Sequence, residues 1–378
     1  MILQKLKNIF HLFEAVVANI YYGFPSRKLK VIGVTGTDGK TTTTSLIYHI
    51  LKSSGKKVSM ISTVYAKIGQ NEYDTGLHTT TPSSFTVQRL LNLAVKNKDE
   101  YFVLETTSHA LDQNRVFGIK YYIGVLTNIT HEHLDYHQTY ENYLKTKAKL
   151  LFSSQIVVLN SEDQSYEQVK KMINGKKIYT YECGQYNDSV AEFNKYNYSA
   201  AHTVCKIIGI HEDQIFKAIN TFKLPPGRLE LVYDKDFKVI IDFAHTPNAI
   251  ENALKEIKKL YVKDKGHLIH VFGSAGLRDV TKRPFMGKAS SKYADFSIIT
   301  EEDYRTEDPQ EIANQIASGM NNHKYKITIN RKEAIKQAIK MAGKNDVVVA
   351  TGKSHEQSLC RGKIEYPWDE KKAIIEAL

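Results

Sequence analysis

Short apolar runs alternate with longer stretches of helical rhythm along most of the chain, the pattern of strands joined by helices. Residues 30–34, 57–62, 101–105, 122–128 and 156–160 read as buried strands. Between them, residues 45–51, 85–93 and the stretch holding Tyr143, Lys147 and Leu150 read as helices. The paired prolines of Leu224-Pro-Pro-Gly-Arg228 stop a helical segment and suit a linker. Beyond it the alternation restarts with apolar runs at 239–242, 268–272, 296–300 and 346–351. The expectation is an α/β protein in three parts. An N-terminal helix and linker occupy residues 1–29, a doubly wound, largely parallel domain 30–224, and a smaller α/β domain 225–378.

Residues 2–22 set Leu6, Ile9, Phe10, Phe13, Val16, Val17 and Ile20 at helical spacing, interrupted by Lys5, Lys7 and Glu14. Such a segment is too short and too charged to span a bilayer. No small-residue cleavage site of a secretory signal precedes Pro25. The favoured reading is an amphipathic helix packed on the next domain. The alternative is an interfacial helix giving peripheral membrane contact through residues 1–22.

Composition narrows the partners. With 378 residues, 42% of them apolar and 25% charged, the chain suits an ordinary soluble protein of two or three domains. A net charge of +11 is compatible with nucleic acid, an anionic membrane or anionic small substrates. The lysines are scattered and no nucleic-acid module stands out, so the expectation is no nucleic-acid partner and a polyphosphate substrate instead. Three cysteines without metal-like spacing suit a reducing cytoplasm.

The chemistry starts where the first apolar run turns through Gly36-Thr-Asp-Gly-Lys-Thr-Thr42 into a helix. Glycines there let backbone N–H groups approach an anion, and the helix start adds partial positive charge. Lys40 can reach terminal phosphates, and the Thr41 hydroxyl can ligate Mg²⁺. The spacing is tighter than in the general phosphate-loop pattern, but strand, glycines, lysine and threonines together read as an NTPase site. Glu105 ends a later strand, and His133 follows another. Ligands of open α/β sheets sit at the carboxyl ends of strands. Thr41, Glu105 and His133 are therefore candidate Mg²⁺ ligands.

These residues, with Thr80-Thr-Pro82, Glu105-Thr-Thr-Ser-His-Ala-Leu-Asp-Gln-Asn-Arg-Val116 and Thr127-Asn-Ile-Thr-His-Glu-His-Leu-Asp-Tyr-His137, resemble the ATP-dependent Mur ligases. Within that family the likeness is to the branch that makes UDP-N-acetylmuramoyl-tripeptide, MurE. It continues through Gly227-Arg228, Asp242-Phe-Ala-His-Thr-Pro-Asn248, Phe272-Gly-Ser-Ala-Gly-Leu-Arg-Asp279, Lys282-Arg-Pro284 and Gly352-Lys-Ser-His-Glu356.

The resemblance implies a P-loop ATPase domain and a Rossmann-like C-terminal domain closing over it. Gly36, Thr37, Asp38, Gly39, Lys40, Thr41, Thr42 and Asn128 would then hold ATP, as would Arg228, Asp242, His245 and Asn248. Lys40, Lys147 and His133 would serve catalysis. Thr41, Glu105 and His133 would hold Mg²⁺, joined by Lys147 once carbamylated, because a carbamate attracts metal where an ammonium repels it. Thr80, Thr81, Ser108, His109, Gln113 and Arg115 would hold a muramoyl-peptide acceptor. Asp303, Arg305, Gly352 and Glu356 would read the incoming diamino acid.

The implied reaction phosphorylates an acceptor carboxylate and then joins it to an amine, in the cytoplasm, for peptidoglycan precursors. Two departures qualify it. The family's Asp-Asn-Pro-Arg signature stands here as Glu302-Asp-Tyr-Arg305, and Ser354 replaces a glycine of Gly-Lys-Gly-His-Glu. Arg305 is kept, which favours meso-diaminopimelate over L-lysine. About 30 residues precede the glycine turn, where the family carries a uridine-gripping domain. The uridine end would then be held otherwise, or the acceptor would be unusual or lipid-linked. Two alternatives stay open: a Mur-type ligase acting on another peptide or polymer, and a non-catalytic nucleotide-binding subunit working with a partner. Oligomeric state is not legible.

Overall fold

The chain divides into two units, residues 1–223 and 224–378, and the computed structural model describes residues 2–76, 80–130, 134–321 and 324–378. In the first unit α1 (Ile2–Tyr21) precedes β1 (Lys30–Thr35), α2 (Lys40–Ser53) and β2 (Val58–Ile61). A hairpin of β3 (Ala66–Ile68) and β4 (Asn71–Tyr73) follows, then α3 (Ser84–Lys96), β5 (Tyr101–Glu105), α4 (Ser108–Asp112) and β6 (Tyr121–Leu126). The unit continues with α5 (Leu134–His137), α6 (Tyr140–Phe152), β7 (Ser154–Asn160) and α7 (Tyr166–Met172). It ends with β8 (Lys177–Tyr181), α8 (Glu192–Ile208) and α9 (Glu212–Thr221).

Its eight strands run in the order β4-β3-β2-β5-β1-β6-β7-β8. The six from β2 to β8 are parallel, and the β3–β4 hairpin adds an antiparallel edge. Central strands buried on both faces read as continuous apolar runs, which is why β1, β5 and β6 are visible in the sequence. One face packs Leu90, Leu91, Tyr143 and Leu150 of α3 and α6 on the sheet; the other packs Leu46, Ile50, Val204 and Ile215 of α2, α8 and α9. Strand β1 lies between β5 and β6, with Val34 opposite Glu105 and Thr35 opposite Leu126. That register brings three strand ends together.

The second unit holds β9 (Glu230–Asp234), β10 (Lys238–Asp242), α10 (Pro247–Tyr261), β11 (Leu268–Phe272), α11 (Lys282–Tyr293) and β12 (Phe296–Ile299). Then come α12 (Pro309–Ala317), β13 (Tyr325–Ile327), α13 (Arg331–Met341), β14 (Val347–Thr351), β15 (Ser358–Arg361), β16 (Ile364–Pro367) and α14 (Glu370–Ala377). The strand order is β13-β12-β11-β14-β10-β9, parallel except for β9 at one edge. Arg331 is fully buried and bonds Glu370, itself fully buried, through Nε (2.9 Å to Oε2) and Nη2 (2.5 Å to Oε1). Nη2 also donates to the Thr351 carbonyl at 2.7 Å. One guanidinium thus ties α13, α14 and the end of β14.

Helix α1 packs, but by an unexpected face. Its small and polar side, Ala15, Ala18 and Asn19, is buried. Asn8 Nδ2 donates to Asp112 at 2.9 Å, and Asn19 Nδ2 donates to the Phe117 carbonyl at 2.9 Å. The apolar stripe of Ile9, Phe10, Phe13, Val16, Val17 and Ile20 is turned outward, with Phe13 68% exposed. Small residues allow close approach of the helix, and its amides find partners there. Apolar periodicity alone therefore pointed to the wrong inner face. No helix among the described residues is long and apolar enough to cross a membrane.

Candidate active site

After β1 the chain turns through Gly36 and Gly39 into α2. Gly39 is the N-cap, at φ 81°, and no side chain caps it. A helix start of this kind favours an anion. Both glycines are forced by close approach: a Cβ on Gly36 would lie 1.8 Å from Thr127 Oγ1, and one on Gly39 would lie 2.0 Å from Asn197 Oδ1 of α8. The segment after β6 holds the loop. Asn128 accepts from the Thr37 amide through its carbonyl (2.9 Å) and from the Asp38 amide through Oδ1 (2.9 Å). Thr127 Oγ1 donates to the Asp38 carbonyl at 2.6 Å. Lys40 Nζ donates to the Thr37 carbonyl at 2.6 Å, curled over the loop, and Thr42 is buried in the first turn of α2.

Thr41 Oγ1 donates to Glu105 Oε1 at 2.9 Å, joining the start of α2 to the end of β5. Thr63 meets the same carboxylate through its amide (2.7 Å to Oε2) and hydroxyl (2.7 Å to Oε1). Glu105 is 1% exposed and has no buried cation among these partners. A hydroxyl and a carboxylate gathered at an anion-binding helix start are hard oxygen donors that fit Mg²⁺, which keeps several waters of its own. Among the described residues no group of three or more His, Cys, Asp or Glu forms a closed metal cage. His133 lies outside the described residues.

Lys147 is the unusual member. In α6 it shares a buried stripe with Tyr143, Leu144, Leu150 and Leu151, so the helical period points its amine into the unit. It is 1% exposed, and Nζ donates to the Gly36 carbonyl at 2.6 Å, lying 4.4 Å from the Tyr143 ring centroid. A lysine on an apolar helix face costs stability unless it serves something else.

Other residues expected to bind acceptor gather after β5. Thr81 Oγ1 donates to the Glu105 carbonyl at 3.2 Å, and Arg115 Nη1 donates to the Thr81 carbonyl at 3.0 Å. Ser108 Oγ lies 3.1 Å from His137 Nε2. His109 packs on Tyr136 at 4.3 Å between ring centroids, and Gln113 Nε2 donates to the Tyr136 hydroxyl at 3.4 Å. Burial pushes the Tyr136 phenol up to about 12, so this hydroxyl stays protonated at neutral pH. Thr80 is half-buried beside Thr81.

The second unit gathers its own set. Asp242, at the end of β10, accepts the amides of Leu229 and Ala244, each at 2.8 Å. Burial raises its carboxyl pKa, opposed by those amides and by Arg228. The Arg228 guanidinium lies 4.7 Å from the Phe243 ring centroid, His245 Nδ1 sits 2.9 Å from the Phe243 carbonyl, and Asn248 lies exposed in the first turn of α10. Burial first, then Arg228, lowers the His355 pKa to about 3, keeping it neutral. Lys353 Nζ bonds Asp303 Oδ1 (2.8 Å) and Glu356 Oε2 (2.5 Å), and the Cys360 amide also donates to Asp303. Asp303 is thus committed to holding Lys353. Arg305 Nη1 donates to the Gly276 carbonyl at 2.5 Å. At Gly352, φ is +100°, and a Cβ would lie 2.8 Å from Glu302 Oε2.

The structure therefore brings Gly36–Thr42, Glu105, Asn128, Lys147 and Thr81 to one sheet edge of the first unit. Separately, it groups Asp303, Gly352 and Glu356 around Lys353 and Glu302 in the second. Sequence reasoning missed Thr63, Asn197 and Lys353 as supports. Thr63 and Asn197 lack any local motif, whereas Lys353 sat inside a motif already quoted.

Residues 34–223 match the Mur ligase middle domain, and residues 227–354 match the Mur ligase glutamate ligase domain. UDP-N-acetylmuramoyl-L-alanyl-D-glutamate–2,6-diaminopimelate ligase 1 of Clostridium acetobutylicum is 38% identical over 394 residues, 96% of this chain and 80% of that protein. The like-named ligase of Aquifex aeolicus is 37% identical over 390 residues, again 96% and 80%. A solved UDP-N-acetylmuramoyl-L-alanyl-D-glutamate–2,6-diaminopimelate ligase superposes with a TM-score of 0.61 at 28% identity, covering 92% of this chain and 78% of that one. Escherichia coli FolC, in complex with DHPP and ADP, shares the fold alone, with a TM-score of 0.74 at 17% identity over 90% of each chain. On these matches, over an intact glycine turn and strand-end carboxylate, the chain belongs to the Mur ligase family of ATP-dependent ligases.

Proposed function

We propose that this protein adds meso-diaminopimelate to the D-glutamate of UDP-N-acetylmuramoyl-L-Ala-D-Glu, in the cytoplasm, forming one amide bond per ATP. The observation that carries this reading is the meeting of Lys40, the Thr41–Glu105 pair and buried Lys147 at one sheet edge, in a chain whose relatives bear that ligase's name. In functional terms residues 30–224 are the ATP-binding domain and 225–378 the second Mur ligase domain, with α1 and its linker before them.

The acceptor carboxylate attacks the γ-phosphorus of ATP, ADP leaves, and an acyl phosphate forms. The neutral amine of the amino acid then attacks the acyl carbon, phosphate leaves, and the nitrogen loses a proton. Both reactants of the first step are anionic, so the site must supply positive charge and alignment. Lys40 is assigned to the phosphates, and the loop backbone that would receive them is held by Thr127 and Asn128 at Thr37 and Asp38. Thr41 and Glu105, with His133, would hold Mg²⁺, which supplies charge neutralisation at the phosphoryl oxygens. Arg228, Asp242, His245 and Asn248 are assigned to nucleotide contact. Thr80, Thr81, Ser108, His109, Gln113 and Arg115 are assigned to the acceptor. Arg305 supplies a planar cation for the distal carboxylate of diaminopimelate, and Glu356 an anion for its distal amine.

Phosphate release tests the reading. It is expected only when ATP, UDP-N-acetylmuramoyl-L-Ala-D-Glu and diaminopimelate are all present, and Arg305→Ala should lower kcat/KM for diaminopimelate roughly a hundredfold. Equal turnover with L-lysine in the wild type would remove the assignment of Arg305 and of diaminopimelate.

Lys147 is carbamylated in the working enzyme on this reading. Beside Mg²⁺ held by Thr41 and Glu105, a carbamate would add an anionic oxygen where an ammonium would repel the metal. Protein equilibrated with ¹³C-bicarbonate should show a carbamate carbonyl resonance that Lys147→Arg lacks. A wild-type spectrum without that resonance, from active protein, rules the modification out.

A further inference from the structure

The apolar stripe of α1 stands outside everything the ligase reading uses. The helix is fixed by its opposite side, through Asn8 to Asp112, Asn114 Nδ2 to the Asn8 carbonyl (3.3 Å) and Asn19 to the Phe117 carbonyl. The stripe is therefore presented by a helix that is held in place. Phe10 is 65% exposed and Ile20 63%. Tyr21 extends it, 6.4 Å between ring centroids from the exposed Phe85 of α3, so the patch passes beyond one helix. From Ile9 to Ile20 the stripe is about 16 Å long at helical rise, an extended apolar surface of a kind that marks an interaction site.

Charge decides between occupants. Residues 1–30 carry Lys5, Lys7, Arg27, Lys28 and Lys30 against the single acid Glu14. Glu14 is turned toward the protein, 3.2 Å from His11 and within the field of Arg115. Lys7, Arg27 and Lys28 are exposed beyond the two ends of the stripe. Two copies of the helix pairing through this face, parallel or antiparallel, would set cation against cation. An anionic bilayer would attract both ends while accepting the stripe. Apolar side chains bordered by cations, on a helix not apolar enough to span, are the features of a helix lying in the membrane interface.

We propose that α1 docks this protein on an anionic lipid surface, with Phe10, Phe13 and Ile20 inserted at the headgroup–acyl boundary and Lys7, Arg27 and Lys28 at the lipid phosphates. The proposal does not depend on which amino acid the enzyme adds.

Co-sedimentation of the full chain with vesicles tests it, using phosphatidylcholine alone and phosphatidylcholine mixed with phosphatidylglycerol, at low and high salt. The wild type should bind the mixed vesicles, and high salt should weaken that binding. The double variant Phe10→Gln/Phe13→Gln should partition roughly a hundredfold less. Lys7→Gln/Lys28→Gln should lose roughly tenfold on mixed vesicles and change little on phosphatidylcholine. These side chains are exposed, so unchanged circular dichroism and melting are expected, and Ile20→Gln gives an independent variant. Wild-type binding indifferent to phosphatidylglycerol, or undiminished in the phenylalanine variant, overturns the proposal. So does a concentration-dependent dimer, lost in the same variant, without vesicle binding; that result assigns the stripe to self-association.

Discussion

Lys40→Ala is expected to lower ligase turnover by about three orders of magnitude or more, leaving the protein folded. The size follows from the work asked of the residue. Phosphoryl transfer between two anions depends on positioned positive charge, and single preorganised donors or cations are worth about 10²–10⁵ in rate. The fold should survive because Lys40 is half-buried and its described hydrogen bond is to the Thr37 carbonyl of its own loop. The Thr37–Asp38 backbone remains held by Thr127 and Asn128 whatever stands at position 40. The measurement is phosphate release with both co-substrates present, beside a melting curve. A variant that keeps more than a tenth of wild-type turnover would take Lys40 out of the phosphate site. Lost turnover with a lowered melting temperature would mean instead that the loop had come apart.

Arg331→Met should destabilise the second unit by about 3–5 kcal/mol, because it leaves a carboxylate buried without its cation. Arg331 and Glu370 are both fully buried, and the guanidinium also serves the Thr351 carbonyl, so its loss leaves several acceptors unsatisfied. Removing both charges, as in Arg331→Met/Glu370→Leu, should recover much of the loss, since an ion pair replaced by apolar groups of similar volume is often neutral. The single tryptophan, Trp368, reports the transition directly: its Nε1 donates to Glu370 Oε2 at 2.7 Å. Urea unfolding followed by its fluorescence gives the midpoint. A double variant no more stable than Arg331→Met would show that the hydrogen bonds to backbone carbonyls, and not the buried charge, carry the effect.

The parts of this protein legible without coordinates are those where local pattern and local chemistry coincide. Central strands β1, β5, β6, β10 and β14 are largely buried on both faces and so appear as near-continuous apolar runs. The short edges were not visible. Strands β3 and β4 are three residues each and β9 is partly exposed, so pairing rather than propensity makes them strands. Helix α1 was legible as a helix and misleading as to its inner face. Apolar period says which residues share a side, whereas hydrogen-bonding partners and close approach decide which side is covered.

The glycine turn, Lys40, Thr41 and the strand-end Glu105 carry their chemistry in residue type and spacing, and a reader of the sequence alone can place them at one edge of a parallel sheet. Spacing along the chain is enough there because the loop and the helix start are contiguous. Distance between remote residues is not encoded that way. Thr63 reaches the Glu105 carboxylate, Asn197 leaves no room for a side chain at position 39, and Asp303 is committed to Lys353 only once the sheets are assembled. The amine of Lys147 reaches the Gly36 carbonyl across 111 positions of chain because α6 packs its apolar face on the sheet beside β1. The reactive groups belong to local sequence; their support and burial belong to tertiary packing, because a side chain's field and partners come from whatever the fold sets around it.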